Sequence, residues 1–473
     1  MAIPMSGVPA EAARRIVESF LDDDLDPKLN LATFSTTGFD ELPVDLLCET
    51  LRKNMSNQHE YKGITKIHRE CANILAALWN GGENGERPVG SATTGSSEAL
   101  MLGCLAMKKQ WLSKKREEGA DTSQPNIIFS SIAHVVCAKF SQYFDVEARI
   151  LPVTQEAGYV MDTQDAAAMT DENTIGIVAV LGSTYTGHYE PVQQLSYALD
   201  DLHSQKGLDI PIHVDAASGG LVAPFVQSNL TWDFKLKRVH SINTSSHKFG
   251  QVPTSLGWIV WRDKSCIPRE MIFDIEYLDQ MYQSWTLSFS KPSFQVVLQY
   301  YNFVRNGFDG SAETIQDCMI RARDLSIILE DSGRFKCITN IPRCEETKQI
   351  TNGTRTPVPL RIRQHVHGNT TNVSKTHNQI QSNSSGLPVV AFTFSEGFLS
   401  SNPRAQLSVI SECLRNLGYS VPYCNIPLFN RPLGVLRIVI RPDIKQHILD
   451  RFIVDLDNCV RGSYPPDISS AMY

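Results

Sequence analysis

Two short stretches of this chain hold residue types that could do chemistry together. Thr244-Ser245-Ser246-His247-Lys248-Phe249-Gly250 sets a lysine among hydroxyl residues and a histidine. About thirty residues upstream, His213-Val214-Asp215-Ala216-Ala217-Ser218 ends an apolar run on a carboxylate. A lysine amine attacks a carbonyl when it is partly desolvated and its pKa falls. A carboxylate at the end of an apolar strand is costly unless paired, and a protonated pyridine N–H would pair it through a charge-assisted hydrogen bond. An amine that holds an aldehyde as a Schiff base and an acid that keeps a ring nitrogen protonated are together what pyridoxal 5'-phosphate (PLP) requires. Taken singly, Lys248 reads as a solvated residue past a strand and Asp215 as a cap before Ala216-Ala217-Ser218. The combination favours the cofactor.

Three more stretches could serve it. Thr93-Thr94-Gly95-Ser96-Ser97-Glu98-Ala99 precedes an apolar helix predicted over Leu100 to Met107. There glycine permits close approach, while Ser96, Ser97 and the first backbone N–H groups offer donors to a phosphate at the positive helix end. A plain serine cap with Glu98 in the first turn has the same sequence, and the spacing fits neither a Walker loop nor a nucleophile elbow. His134 follows a strand, where its ring is either a satisfied loop histidine or a flat group stacked on a planar cofactor. Arg437 lies in the alternating run Gly434-Val435-Leu436-Arg437-Ile438-Val439-Ile440-Arg441, on the face of Val435 and Val439. A guanidinium so placed needs a carboxylate, from an internal salt bridge or from a substrate.

These residues need a scaffold, and the chain between about Pro125 and Trp261 supplies the pattern of an α/β domain. Strands are predicted at Asn126 to Ser130, Thr174 to Leu181, Ile210 to Asp215, Val239 to Asn243 and Leu256 to Trp261. Their near-continuous apolar character suits a sheet covered on both faces. Val192 to Gln205 has helical spacing. Asp215, Ser245 to Lys248 and Tyr185-Thr186-Gly187 all follow predicted strands, where open α/β sheets gather ligands. Past residue 310 the texture changes to a helix over Ala312 to Leu329, a polar stretch, and then alternating strands and helices. The expected organisation is an N-terminal segment 1–28, a large domain 29–311 and a small α+β domain 312–473 with a polar insertion at about 343–386. That insertion is too poor in apolar residues to order itself. Its His365 and His367 lack further ligand spacing, so no metal site is expected.

Composition excludes other classes. With 473 residues, 42% hydrophobic and 20% charged, the chain is globular and can bury a large core. A formal charge of −7 and the absence of a basic cluster argue against nucleic acid as a partner. No segment has the apolar length of a membrane span, and the N-terminus shows no secretory pattern, so a cytoplasmic protein is expected. The 11 cysteines form no Cys-x-x-Cys pair and read as reduced, mostly buried thiols.

Together the motifs resemble the group II PLP-dependent decarboxylases, and among them the glutamate decarboxylase family. The similarity runs from about Leu29 to Cys459. It is carried by Asn30-Leu31-Ala32-Thr33-Phe34, Gly95-Ser96-Ser97-Glu98-Ala99, Thr184-Tyr185-Thr186-Gly187, Asp215-Ala216-Ala217-Ser218-Gly219-Gly220 and the Ser-x-His-Lys-Phe-Gly loop. The resemblance implies the fold of aspartate aminotransferase (fold type I). This is a large α/β domain with a mostly parallel seven-stranded sheet and a small C-terminal α+β domain, in a homodimer with shared active sites. It further implies that Lys248 bears PLP, that Asp215 pairs the pyridine nitrogen, and that Ala217 lies beneath the ring with His134 stacked on it. Ser96, Ser97, Ser245 and His247 match phosphate ligands, and Ser290 matches one reaching in from the neighbouring subunit. Thr186 matches a contact to the ring hydroxyl or the Schiff-base region. Thr33, Phe34 and Asn54 match positions around the distal carboxylate of glutamate, Arg437 the anchor of the α-carboxylate, and Tyr277 the mobile-loop residue that returns a proton. The implied reaction is decarboxylation of an acidic L-amino acid, foremost L-glutamate to 4-aminobutyrate.

Some positions depart from the family pattern. Asn57 stands where an aspartate is usual in the substrate pocket, Lys62 replaces a proline, Asp279-Gln280 replaces a flexible glycine pair, and Trp285 replaces a smaller ring. No tail of the calmodulin-binding kind is expected. These departures leave cofactor chemistry untouched and bear on the substrate, with aspartate or another amino acid as the alternative and a silent PLP-fold scaffold as the non-enzymatic one.

Overall fold

The computed structural model describes residues 2–465 apart from 40–41, 83–84, 278–279 and 342–385. The expected polar insertion therefore lies outside the described residues except at its last position, Gly386. The five predicted strands are present, with two more, in one seven-stranded sheet: β1 (Val89–Thr93), β2 (Asn126–Ser130), β3 (Glu147–Leu151), β4 (Thr174–Val180), β5 (Ile212–Asp215), β6 (Val239–Ser245) and β7 (Gly257–Trp261). Their order is β1-β7-β6-β5-β4-β2-β3. The strands β3, β2, β4, β5 and β6 pair in parallel, while β7 runs antiparallel between β6 and β1. All five residues of β2 and all seven of β4 are buried, as a strand with helices over both faces requires. Strand β6 runs two residues past its predicted end because Thr244 and Ser245 still pair with Trp258 and Gly257.

That last pairing brings two parts of the site together. Gly257 lies so close to the start of the helix Ser96–Glu117 that a Cβ there would stand 2.3 Å from the carbonyl carbon of Gly95 and 2.5 Å from the nitrogen of Ser96. Only a residue without a side chain lets the strand beside Ser245 approach the Gly95-Ser96 turn. The helix itself extends beyond the predicted Leu100 to Met107. Its first half buries Leu100, Leu102, Cys104 and Met107, and its last turn carries Lys114, Lys115 and Arg116, which suit the negative end of a helix.

A two-stranded hairpin, β8 (Phe273–Tyr277) with β9 (Gln280–Ser284), follows the sheet. The helix predicted from Ala312 is the second half of a longer one, Phe294–Asp331, kinked at Gly307, whose φ is 58°. Before the kink Val296 and Leu298 pack into the core of the large sheet. Beyond it Met319, Ala322 and Leu325 pack into a second core. That core lies against an antiparallel sheet of β10 (Phe335–Cys337), β11 (Val389–Phe394), β12 (Tyr423–Ile426) and β13 (Leu433–Val439), in the order β10-β11-β13-β12.

The cysteines require a correction. Cys413 of the helix Leu407–Asn416 and Cys459 of the helix Gln446–Ser463 form a disulfide, with Cα atoms 5.9 Å apart. Packing of the two helices brings them together across 46 residues of sequence, so no short spacing announces the pair. Among the described residues seven further cysteines are free thiols, and of these only Cys48 is exposed.

The close approach at Gly257 gives a test. Gly257→Ala should destabilise the protein by about 2–3 kcal/mol, the cost of overpacking against backbone that cannot move aside, and should weaken cofactor retention. Gly310→Ala, where a Cβ meets only the Asn306 Cβ at 3.6 Å, is the control. Chemical denaturation of both variants checks this, and equal midpoints would refute it.

Candidate active site

A cavity of about 220 Å3 opens where β4, β5 and β6 end, and its wall includes Val180, Asp215 and Ser245, the last residue of each. Ligands collect at such strand ends in open α/β sheets. A larger groove of about 740 Å3 lies near the opposite ends, by Thr174, Pro211 and His240, but its rim mixes carboxylates with Lys114, Lys115 and Arg269.

Lys248 reaches into the smaller cavity and donates from Nζ to Ser218 Oγ at 3.0 Å. Burial pushes its ammonium down to about 8, opposed by the charge of Asp215 and assisted by Arg437. Asp215 is buried and has no cationic partner among the described residues. Its Oδ1 accepts from Asn243 Nδ2 at 2.9 Å and from the backbone N–H of Ala217 at 3.2 Å. A buried anion held by two neutral donors leaves room for the cationic N–H of a ring.

The other end of the cavity is a cup of small polar groups. Gly95, Ser96, Ser97, Ser245 and His247 line it. Gly95, not a serine, occupies the N-cap position with φ 123°, and no side chain caps the helix, so the plain serine-cap reading is not what the chain adopts. The φ of Gly95 is one that a side chain would oppose. Glu98 turns back instead, accepting from the N–H and hydroxyl of Thr94 at 2.7 Å each. Ser245 Oγ is buried with no partner. His247 donates from Nδ1 to the Leu256 carbonyl at 3.0 Å, and burial lowers its pKa. His134 caps its own helix, accepting from the N–H of Val136 at Nδ1, 3.3 Å, while lining the same cavity with Ala217.

Arg437 approaches from the small sheet. Its guanidinium donates to the Thr184 carbonyl and, at 2.5 Å, to the Ala32 carbonyl, and no carboxylate pairs it among the described residues. The Phe34 ring stands between the two cations, 5.0 Å from the Arg437 guanidinium and 5.2 Å from Lys248 Nζ. Burial lowers the Arg437 pKa. Thr33 sits beside Phe34, its carbonyl held by Arg441.

Not every expected residue joins this group. Thr186 is buried with its hydroxyl unpartnered and does not line the cavity, whereas Thr184 does. Asn54 and Ser290 lie together away from the cavity wall, Asn54 Nδ2 donating to Ser290 Oγ at 3.1 Å, and Asn57 accepts from Ser56 Oγ at 3.3 Å. Tyr277 ends β8 opposite Gln280, and its side chain lies outside the described part. Two residues escaped the sequence reading: Ser218, which stood unremarked inside a quoted motif, and Thr184, two positions from the threonine chosen.

A lysine and a carboxylate at adjacent parallel strand ends, with an anion cup beside them, mark the pyridoxal phosphate enzymes of fold type I. The family described as pyridoxal-dependent decarboxylase conserved domain matches residues 10–346. The chain is 37% identical over 456 residues to a glutamate decarboxylase of Petunia hybrida, covering 96% of this chain and 81% of that one. To that of Saccharomyces cerevisiae it is 36% identical over 476 residues, covering 97% and 78%. A solved Lactobacillus brevis glutamate decarboxylase superposes with a TM-score of 0.84 at 31% identity, over 99% of this chain and 96% of that chain. Oryza sativa TDC with PLP and tryptamine shares the fold, with a TM-score of 0.76 at 14% identity over 98% and 90%. The chain belongs to the pyridoxal-dependent decarboxylases and, within them, to the glutamate decarboxylase family. It is a carboxy-lyase whose cofactor is pyridoxal phosphate.

The residues present fit that cofactor. The unpartnered Ser245 hydroxyl and the uncapped helix start match a phosphate, Asp215 lacks a cation, and Lys248 is an amine rendered reactive by burial. Below about pH 8 Lys248 is mostly ammonium and above it mostly free amine. Capture of added PLP by protein stripped of cofactor should therefore accelerate as pH rises through about 8. Stopped-flow absorbance checks this; a midpoint near the ordinary lysine value of about 10.4 would show that burial does not tune the amine.

Proposed function

We propose that the protein removes the α-carboxylate of L-glutamate, releasing CO2 and 4-aminobutyrate. The observation that carries this reading is the half-buried Arg437, whose partners among the described residues are carbonyls and which stands across the Phe34 ring from Lys248. A desolvated guanidinium so placed is matched by a substrate carboxylate.

PLP, when bound, supplies an electron sink for the pair left as CO2 departs. The chain does the rest. Lys248 would hold the cofactor covalently, and Asp215 would accept from its ring N–H. Ser96, Ser97, Ser245 and His247 would hold its phosphate, with Thr186 or its neighbour Thr184 as a further polar contact. Ala217 and His134, which line the same cavity, would pack against it. Arg437 orients the α-carboxylate, and Thr33 and Phe34 begin the pocket for the distal one. Tyr277 Oη or Lys248 Nζ returns a proton to the α-carbon.

The pocket is completed by a second copy of the chain. Asn54, Asn57 and Ser290 do not line the cavity of their own chain, and Ser290 is exposed beside Asn54. A homodimer lets this cluster supply the distal-carboxylate and phosphate contacts of its neighbour. The helix Ala10–Leu21 supports an oligomer too: it buries none of its residues, and Ile16, Val17, Phe20 and Leu21 all face outward. A cytoplasmic location fits the buried free thiols Cys71, Cys104, Cys137, Cys266 and Cys318, while the Cys413–Cys459 disulfide counts against it; among the described residues no helix is long and apolar enough to cross a membrane.

Purified protein should be yellow and release CO2 from glutamate faster than from aspartate, and Lys248→Ala should lose both properties. A colourless wild type refutes the cofactor site, and a preference for aspartate moves attention to Asn57. Shared sites are tested by mixing. Lys248→Ala and Asn54→Ala chains, each inactive alone, should recover about a quarter of wild-type activity when refolded together, because half the dimers are mixed and each carries one intact site. No recovery would mean that each chain builds its own site.

A further inference from the structure

His213 lies behind Asp215, and the proposed mechanism leaves it unused. It belongs to a square of polar side chains on β5 and β6, in which His213 pairs in register with Ser241 and Asp215 with Asn243. His213 Nδ1 is 2.7 Å from Ser241 Oγ, and its Nε2 is 2.7 Å from Asn243 Oδ1. Asn243 Nδ2 then donates to Asp215 Oδ1 at 2.9 Å. His213 and Asn243 are wholly buried and Ser241 nearly so, so water does not substitute for any member.

The proton inventory has one consistent solution. An asparagine can present either its amide hydrogens or its oxygen, and an oxygen turned to Asp215 would set two acceptors against each other. With its amide hydrogens committed to Asp215, Asn243 offers Oδ1 to His213, whose Nε2 must carry the hydrogen. Burial holds the imidazole neutral, its pKa near 4, so Nδ1 is an acceptor and takes the hydroxyl hydrogen of Ser241. The hydrogen bonds from Ser241 through His213 and Asn243 to Asp215 all run in one direction, and in a dry interior such aligned dipoles strengthen one another. The ring has no freedom to swing away. A Cβ at Gly103, on the helix that begins at the phosphate cup, would stand 2.5 Å from His213 Nδ1 and 3.1 Å from Ser241 Oγ. The imidazole therefore fills the space that this glycine leaves.

We propose that His213 is a positioning residue that, through Asn243, fixes the hydrogen bond received by Asp215 and thereby keeps the cofactor's ring nitrogen protonated. This rests on the reading of Asp215 as the partner of that nitrogen. Asn243 is the one side chain that donates to Asp215 among the described residues. Without the imidazole N–H its amide is free to turn, and the carboxylate loses both its orientation and a donor that favours its charged form.

Protein reconstituted with PLP carrying 15N in the ring should show the nitrogen resonance of a protonated pyridine. In His213→Leu that resonance should move toward the unprotonated position, with PLP bound about tenfold more weakly, the scale of one buried hydrogen bond. His213→Gln keeps an N–H for Asn243 and should retain most of the wild-type signal and affinity. Circular dichroism and thermal melting identify the variants that fold. If His213→Leu does not fold, Ser241→Ala carries the test, with the same shift expected at smaller size. An unchanged resonance in a folded His213→Leu or, in its place, Ser241→Ala overturns the proposal. Equal loss in the Gln and Leu variants reduces His213 to packing and overturns it as well. Asp215→Asn separates the two readings. If it leaves the ring nitrogen protonated, the Asp215 assignment fails; if it deprotonates the ring while His213→Leu does not, only the His213 proposal fails.

Discussion

The cost of burying Asp215 without a cation of its own organises this active site. Removing a carboxylate from water costs several kcal/mol unless the protein returns equivalent interactions, and here the chain returns only a carboxamide and one backbone N–H. The deficit is tolerable because β5 and β6 are parallel neighbours in a sheet covered on both faces, which brings Asp215, in the cavity wall, level with Asn243 behind it. Lys248 follows β6 by three residues, so its amine enters the same cavity and feels the same carboxylate. Desolvation still wins over that attraction and lowers the lysine pKa. One burial thus creates two complementary demands, an anion short of an N–H and an amine short of a proton, which a pyridine ring bearing an aldehyde meets together.

A second constraint joins the small sheet to this cavity. The segment Asn30 to Thr37 threads between them and is fastened on both sides. Thr36 donates from its backbone N–H to the His247 carbonyl and from its hydroxyl to the Lys248 carbonyl, while the backbone N–H of Val439 donates to the Leu31 carbonyl. Arg441 donates to the carbonyls of Asn30 and Thr33 and is paired with Asp443. Buried and fully committed, Arg441 is a structural clamp. Arg437, four residues earlier on the same chain run, holds carbonyls and meets no carboxylate among the described residues.

That contrast shows what sequence patterning can and cannot reveal. Alternation placed Arg437 and Arg441 on a strand run, but whether an arginine meets a carboxylate depends on Asp443 and on a segment some four hundred residues away. That Lys248, Asp215, Ser96, Ser97 and His247 gather in one cavity was legible because each follows or precedes an element whose apolar pattern is plain, and because buried parallel strands are written as unbroken apolar runs. Contacts made by the fold alone were not legible. Cys413 and Cys459 meet only when two helices pack, Thr184 and Thr186 differ only in how a turn rotates, and the helix Phe294–Asp331 spans a change in composition because its two halves serve different cores. Asn54 and Ser290 are further removed still, since the site proposed for them is that of a second copy of the chain.

The partial occupation of Arg437 also bears on how a decarboxylase treats the group it expels. A guanidinium has five N–H donors, and a bidentate grip on the scissile carboxylate would stabilise the ground state as much as anything later, with no gain in rate. Here both terminal nitrogens are already drawn to carbonyls of Thr184 and Ala32, and the Phe34 ring covers the guanidinium at 5.0 Å. Each terminal nitrogen keeps one N–H and Nε keeps its own, and their direction is set by the two carbonyls. In the proposed mechanism the arginine therefore orients the bond that must break.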